Sequence, residues 1–196
     1  MQKVFFIVVL LGAVIFSSCD TEENDSVDLY DVTKEYFSYD EGSTWKYELE
    51  GNSSVVENVV SERFSTGYSD HGSKKLEFFI YDMVSSSQNK IVMRAEAGGL
   101  DPIDRIVFIN YLDNSNVVYS PILWNTGIEF SMEVGDQIEY LTSFQVNSDT
   151  YNDVYHIVPD DQDVFKELYV AKNVGVIKKT YANDSTYLLV DHNVIQ

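Results

Sequence analysis

The sequence predicts an all-β domain, an antiparallel meander curled into an open barrel or a sandwich, preceded by a signal peptide and a flexible tether. Three observations carry that expectation. From Thr44 onward apolar residues recur at every second position, the period of a strand with one buried and one wet face. Turn-forming clusters separate these runs at intervals of about ten residues. No segment after the first 18 residues sustains a helical period; DVFKELYV (163–170) comes nearest and is short.

The chain begins with a short basic start, Met1 to Lys3, and then thirteen uncharged, almost wholly apolar residues from Val4 to Phe16. At about 1.5 Å per residue a helix of that length is roughly 20 Å long, short of the ~30 Å hydrocarbon core of a bilayer. Residues 1–18 therefore read as an export signal, with small Ser17 and Ser18 where a peptidase needs access. Cys19 follows. It is the single cysteine of the chain, so no intramolecular disulfide can form. An unpaired thiol is unusual in an exported protein, where cysteines are mostly paired.

Phe16-Ser17-Ser18-Cys19 resembles the lipobox of bacterial lipoproteins, with Phe16 where Leu is usual. The resemblance implies that Cys19 is acylated and becomes the first residue of the mature protein. Each buried CH₂ contributes ~0.8 kcal/mol, and two or more chains hold a protein stably.

Residues 19–34 hold acids, Ser, Thr and Asn with little to bury, and are expected to form an acidic flexible tether. Within it, Asp20, Glu22 and Glu23 resemble the export signal that follows the lipidated cysteine in lipoproteins of the Bacteroidetes and sends them to the cell surface. Asp20 also resembles the inner-membrane retention signal of enteric bacteria. The expected location is the outer membrane, exposed at the cell surface, with a periplasm-facing position as the alternative.

Removing residues 1–18 takes Lys3 and no acid, so Lys plus Arg falls from 13 to 12 against 32 Asp plus Glu, and the formal charge moves from −19 to −20. Such a surface repels phosphate backbones and excludes nucleic acid as a partner. With 44% hydrophobic and 14% aromatic residues the chain can still build a core. Residues 35–196 are expected to form one domain.

Along that domain Trp45, Tyr47 and Leu49 alternate with Lys46, Glu48 and Glu50; Ile91, Met93 and Ala95 alternate with Lys90, Arg94 and Glu96. Ile138 and Tyr140, then Phe144 and Val146, alternate with Gln137, Glu139, Ser143 and Gln145. LEFFIYDM (76–83) and RIVFINYL (105–112) are dense enough for strands covered on both faces. Further strands are expected at 55–64, 117–124, 153–158, 166–171, 174–181 and 186–190. Gly51-Asn52, 113–116, 125–127, Gly135-Asp136 and Asn183-Asp184 supply the turns.

Two segments carry a second resemblance. YFSYDEGSTWKYEL (36–49) is similar to the "YFPLxxGxxWxY" opening of a group of uncharacterised Bacteroidetes lipoproteins, and ELYVAKNVGVIKKTY (167–181) to their closing "YYAKGVGLVK" stretch. The matching positions are Tyr36, Phe37, Gly42, Trp45 and Tyr47, then Tyr169, Ala171, Lys172, Val174, Gly175, Val176 and Lys178. The resemblance implies a barrel-like domain on a lipid anchor and no particular activity. On physical grounds Gly42 turns the chain into the first strand, Trp45 is a core residue, and Gly175 allows a bulge or a close backbone approach.

Catalytic patterns are lacking. His71, His156 and His192 are far apart in sequence, and there is no nucleophile elbow, phosphate loop or dinucleotide fingerprint. Asp160 to Asp163 lacks the Gly and distal Glu of a calcium loop and reads as an acidic surface loop. Trp124 is the aromatic residue placed best for exposure. The expected function is a lipid-anchored envelope module, binding or structural and not catalytic, with no cofactor or metal. Its partners are the membrane through Cys19 and an unidentified glycan, apolar ligand or envelope protein. The rivals are a glycan hydrolase using scattered carboxylates and a carrier with an apolar ligand inside the barrel.

Overall fold

The computed structural model describes residues 25–72, 74–86, 90–98, 104–112, 116–125, 130–132, 137–160 and 164–196. The chain enters through β1 (Asp25–Val27) and a seven-residue helix, α1 (Asp31–Phe37). A first meander follows, of β2 (Thr44–Leu49), β3 (Asn52–His71), β4 (Lys74–Ser85), β5 (Lys90–Glu96), β6 (Asp104–Leu112), β7 (Asn116–Asn125) and β8 (Phe130–Met132). A second comprises β9 (Gln137–Val146), β10 (Asp149–Val158), β11 (Phe165–Ala171), β12 (Gly175–Tyr181) and β13 (Thr186–Asn193). Within each meander sequence neighbours are sheet neighbours, and the two join where β13 pairs with β2. β8 and β9 lie at the two ends of this antiparallel order, and β1 pairs in parallel with β4. The all-β class expected from the alternation is the class observed.

The sheet curls into an open barrel. β8 and β10 are ten strand spacings apart in the order, about 50 Å in a flat sheet. Yet the rings of Phe130 and Tyr155 meet edge-on with centroids 4.8 Å apart. α1 fills the seam: Tyr36 lies 5.6 Å from Phe130 and 5.1 Å from Tyr155, and Phe37 lies 5.6 Å from Phe130. Aromatic edges thus join the two ends where the ladder does not.

Strand direction gives the barrel a helix end and a far end. The β3–β4 turn, the start of β6 and the 172–174 turn share the helix end, and α1 caps it. The Asn173 N–H donates to the Glu35 carbonyl at 2.8 Å, the Tyr36 hydroxyl to the Asp153 carbonyl at 2.9 Å, and Lys172 pairs with Glu35 at 2.9 Å. At its start α1 uses a distant carboxylate: Asp104 accepts from the Tyr30 N–H at 2.8 Å and the Thr33 hydroxyl at 2.5 Å.

These contacts correct the expected boundary at residue 35. Among the described residues the fold already includes Asp25–Val27, and Leu29 and Thr33, assigned to the tether from composition, are buried. A helix of seven residues is too short to display a 3.6-residue period, and Val27 reaches order by pairing with Leu76. β3 is also twice as long as expected. The polar stretch 65–70 is held in the strand by its ladder with β4, where Gly67 faces Phe78 and Ser69 faces Leu76.

Trp45 and Tyr47 point inward and bond across two strands, the indole N–H to the Val174 carbonyl at 2.7 Å and the hydroxyl to the Val176 carbonyl at 2.8 Å. Gly175, between those carbonyls, has φ +95°, and a Cβ there would lie 2.9 Å from the Tyr39 hydroxyl. That is the close approach expected of it. The two segments of the second resemblance therefore meet inside the barrel.

Trp45→Ala is expected to destabilise the domain by roughly 3–5 kcal/mol. Tyr68→Ala, at a half-exposed ring, should change it by under about 1 kcal/mol. Urea unfolding of the two variants checks both; equal, small losses would remove Trp45 from the core.

Candidate functional site

Four neighbouring strands bring a charged pair into the barrel. Lys179 of β12 stands opposite Tyr187 of β13, and Tyr47 of β2 stands opposite Glu57 of β3. All four positions face inward because the period-two pattern of each strand is in phase with its neighbours. Lys179 Nζ lies 2.9 Å from Glu57 Oε2, and each side chain is only 6% exposed. The rings of Tyr47, Tyr181 and Tyr187 surround the ammonium at 4.1, 5.6 and 6.0 Å. The Tyr181 hydroxyl reaches both Glu57 oxygens at 3.4 and 3.5 Å.

Burial pushes the Lys179 ammonium down from its ordinary pKa, and the Glu57 charge and hydrogen bond pull it partly back. Burial pushes the Tyr47 and Tyr181 hydroxyls well up, and the Glu57 charge pushes them further. Their faces stay neutral and electron-rich, which suits a desolvated cation.

The pair borders a cavity of about 40 Å³ that extends towards Phe37, Tyr39 and Trp45 at the helix end. Glu57 is the one carboxylate among the described residues that line it, and its charge is met by Lys179. Asp104 has its pKa raised by burial, but it lies under α1 with the Thr33 hydroxyl and Tyr30 N–H bound to it. Among the described residues, no two carboxylates face one another across this space.

A second cluster sits on the outer face. Tyr169 is stacked between Phe144 and His156, both with centroids 4.2 Å away. Glu167 accepts from Lys178 at 2.8 Å and the Thr180 hydroxyl at 3.0 Å, and His156 Nε2 lies 3.2 Å away. Burial alone would raise the Glu167 carboxyl; the Lys178 and Thr180 bonds, the Lys178 charge and His156 bring it below its usual range. His156 is thus a satisfied strand residue, as its alternating run suggests. Tyr151 of β10 lies 6.5 Å from His192 of β13, three strand spacings or about 14 Å away in a flat sheet. The tip of the β9–β10 hairpin, beyond a left-handed Asp153 at φ +52°, therefore bends across the sheet.

Cys19, Asp20, Glu22 and Glu23 lie outside the described residues, as do 161–163 of the acidic loop and the side chains of Trp124 and His71. Sequence reasoning missed the Lys179–Glu57 pair. Lys178-Lys179 and Glu57 look like surface charge, and only the phase of β12, shifted by the irregularity near Tyr169 and Val170, turns Lys179 inward. Compared with protein-family models, curated proteins and solved structures, the chain matches none.

If the pair is a structural element, removing one partner should be worse than removing both. Lys179→Met should destabilise by roughly 3–5 kcal/mol by leaving Glu57 buried and unpaired, and adding Glu57→Leu should recover most of that loss. Denaturant melts of the two variants give the answer; no recovery in the double variant would contradict the pairing.

Proposed function

We propose that the chain is a lipid-anchored cell-envelope protein, attached through Cys19, whose β-domain is a non-catalytic binding or structural module. The small size of the cavity beside the Lys179–Glu57 pair, among the described residues, is the observation that supports this reading best. A carrier for an apolar ligand needs a pocket of about 300–1,000 Å³, whereas the cavity beside Trp45, Tyr39, Tyr81 and Phe37 of α1 holds about 40 Å³. A glycan hydrolase needs two carboxyls roughly 5–9.5 Å apart across a cleft, and Glu57 stands alone with Lys179 among the described residues of the cavity. The outer surface and the strand ends remain for recognition, with a glycan or an envelope protein as the partner class. The outer membrane is the proposed location, with Asp20, Glu22 and Glu23 as the signal for its outer face.

The test is metabolic labelling with palmitate. Wild type is expected to take up label, and Cys19→Ala to remain an unlabelled precursor or a soluble protein. An unlabelled wild type would overturn the anchor. In a host that uses the acidic signal, replacing Asp20, Glu22 and Glu23 together with Ala should keep the label but protect the protein from protease added to intact cells. Equal digestion of both would make these acids a plain spacer.

A further inference from the structure

From the placement of β1 we infer that the helix end of the barrel, led by the tip of the β3–β4 hairpin, lies against the lipid surface, and that the far end faces away from it. This rests on the lipid anchor at Cys19.

Reach sets the orientation. β1 begins at Asp25, six residues after Cys19, and at 3.3–3.6 Å per residue that link spans at most about 20 Å. β1 is not free to place itself: Asp25, Ser26 and Val27 pair with Lys74, Lys75 and Leu76, at the start of β4 directly after the hairpin turn. The chain therefore leaves its anchor and docks on the hairpin tip. The ladder between β4 and β5 ends at Phe78 and Glu96, so the tip projects past β5 by about four residues, roughly 13 Å. No other part of the described fold is tied so closely to residue 19.

The chemistry of the tip fits a headgroup layer. Tyr68 is half-exposed there and donates its hydroxyl to Asp28 at 2.7 Å; an aromatic ring with a polar edge suits a membrane interface. Lys34, Lys74 and Lys75 stand against Asp25, Asp28, Asp70 and Glu77. The hairpin tip thus sets three cations against four acids on a chain of formal charge −19, which weakens its repulsion by anionic lipid. Lys179 and Glu57 lie towards the other end. Val55 is thirteen residues from Tyr68 along β3, so the two positions lie roughly 40 Å apart along the strand.

The mature lipoprotein tests this directly, because acylation of Cys19 leaves an introduced cysteine as the single free thiol. Tyr68→Cys and Val55→Cys are each labelled with a nitrobenzoxadiazole dye and placed in phosphatidylethanolamine–phosphatidylglycerol vesicles carrying a nitroxide on the headgroup. The expected result is a several-fold loss of fluorescence at position 68 and little change at position 55. Lys75→Cys repeats the reading in case loss of the Tyr68–Asp28 bond loosens the tip. Vesicle flotation is scored first: protein that does not float overturns the anchor, and this inference with it. Protein that floats but is quenched equally at both positions, or more at position 55, overturns the orientation alone.

Discussion

The hydrogen bond from the Trp45 indole to the Val174 carbonyl, 2.7 Å long, fixes the geometry on which the other contacts depend. It ties the first wall strand to the turn before β12 across the barrel interior, and Tyr47 repeats the reach to Val176 one pleat further on. Tyr39 packs edge-on against Trp45 at 5.1 Å and against Tyr81 at 5.6 Å. Its hydroxyl donates to the Tyr36 carbonyl in the last turn of α1. Helix, first strand and second meander are therefore held by one group of rings, and Gly175 is the place where a side chain would push that group apart.

An open barrel has two strand ends to protect, and this one covers them with rings. Phe130, Tyr36, Phe37 and Tyr155 form the seam, each contributing apolar area and an edge-to-face contact. The acids of the chain have a complementary task. Asp104 and Glu77 accept backbone N–H groups of Tyr30 and Leu29, so carboxylates far away in sequence hold the chain as it enters α1, whose N-cap Tyr30 makes no side-chain cap bond. Some of the negative charge is thus structural. Glu57 shows the same use inside the barrel, where it neutralises Lys179.

The strand wall was legible because burial alternates: Trp45 and Tyr47 buried, Lys46 exposed, is a pattern that one face of a sheet imposes on sequence. Gly175 was legible because a glycine weakens a strand interior, and one between two valines marks a bulge or a close backbone approach. What escaped were features that depend on distant partners. α1 takes its order from Asp104, Asp153 and Asn173, none of them local. β1 takes its order from β4. The Lys179–Glu57 pair joins residues 122 positions apart, and the inward turn of Lys179 depends on an irregularity in the β11–β12 ladder that no composition reveals. Charge in a highly acidic chain carries little information until its partner is known.

Gly175 is required by the Tyr39–Trp45 contact and not merely by its backbone angle. Comparing the unfolding free energies of Gly175→Ala and Gly51→Ala tests this most directly. Both glycines have positive φ, +95° and +77°, but a Cβ at Gly51 meets nothing within 4 Å, whereas one at Gly175 meets Tyr39 at 2.9 Å and Trp45 at 3.4 Å. The backbone strain is common to both, so overpacking should make Gly175→Ala the worse by about 1–3 kcal/mol. Equal losses at the two positions would show that the rings have room to move, and would contradict their governing role in the fold.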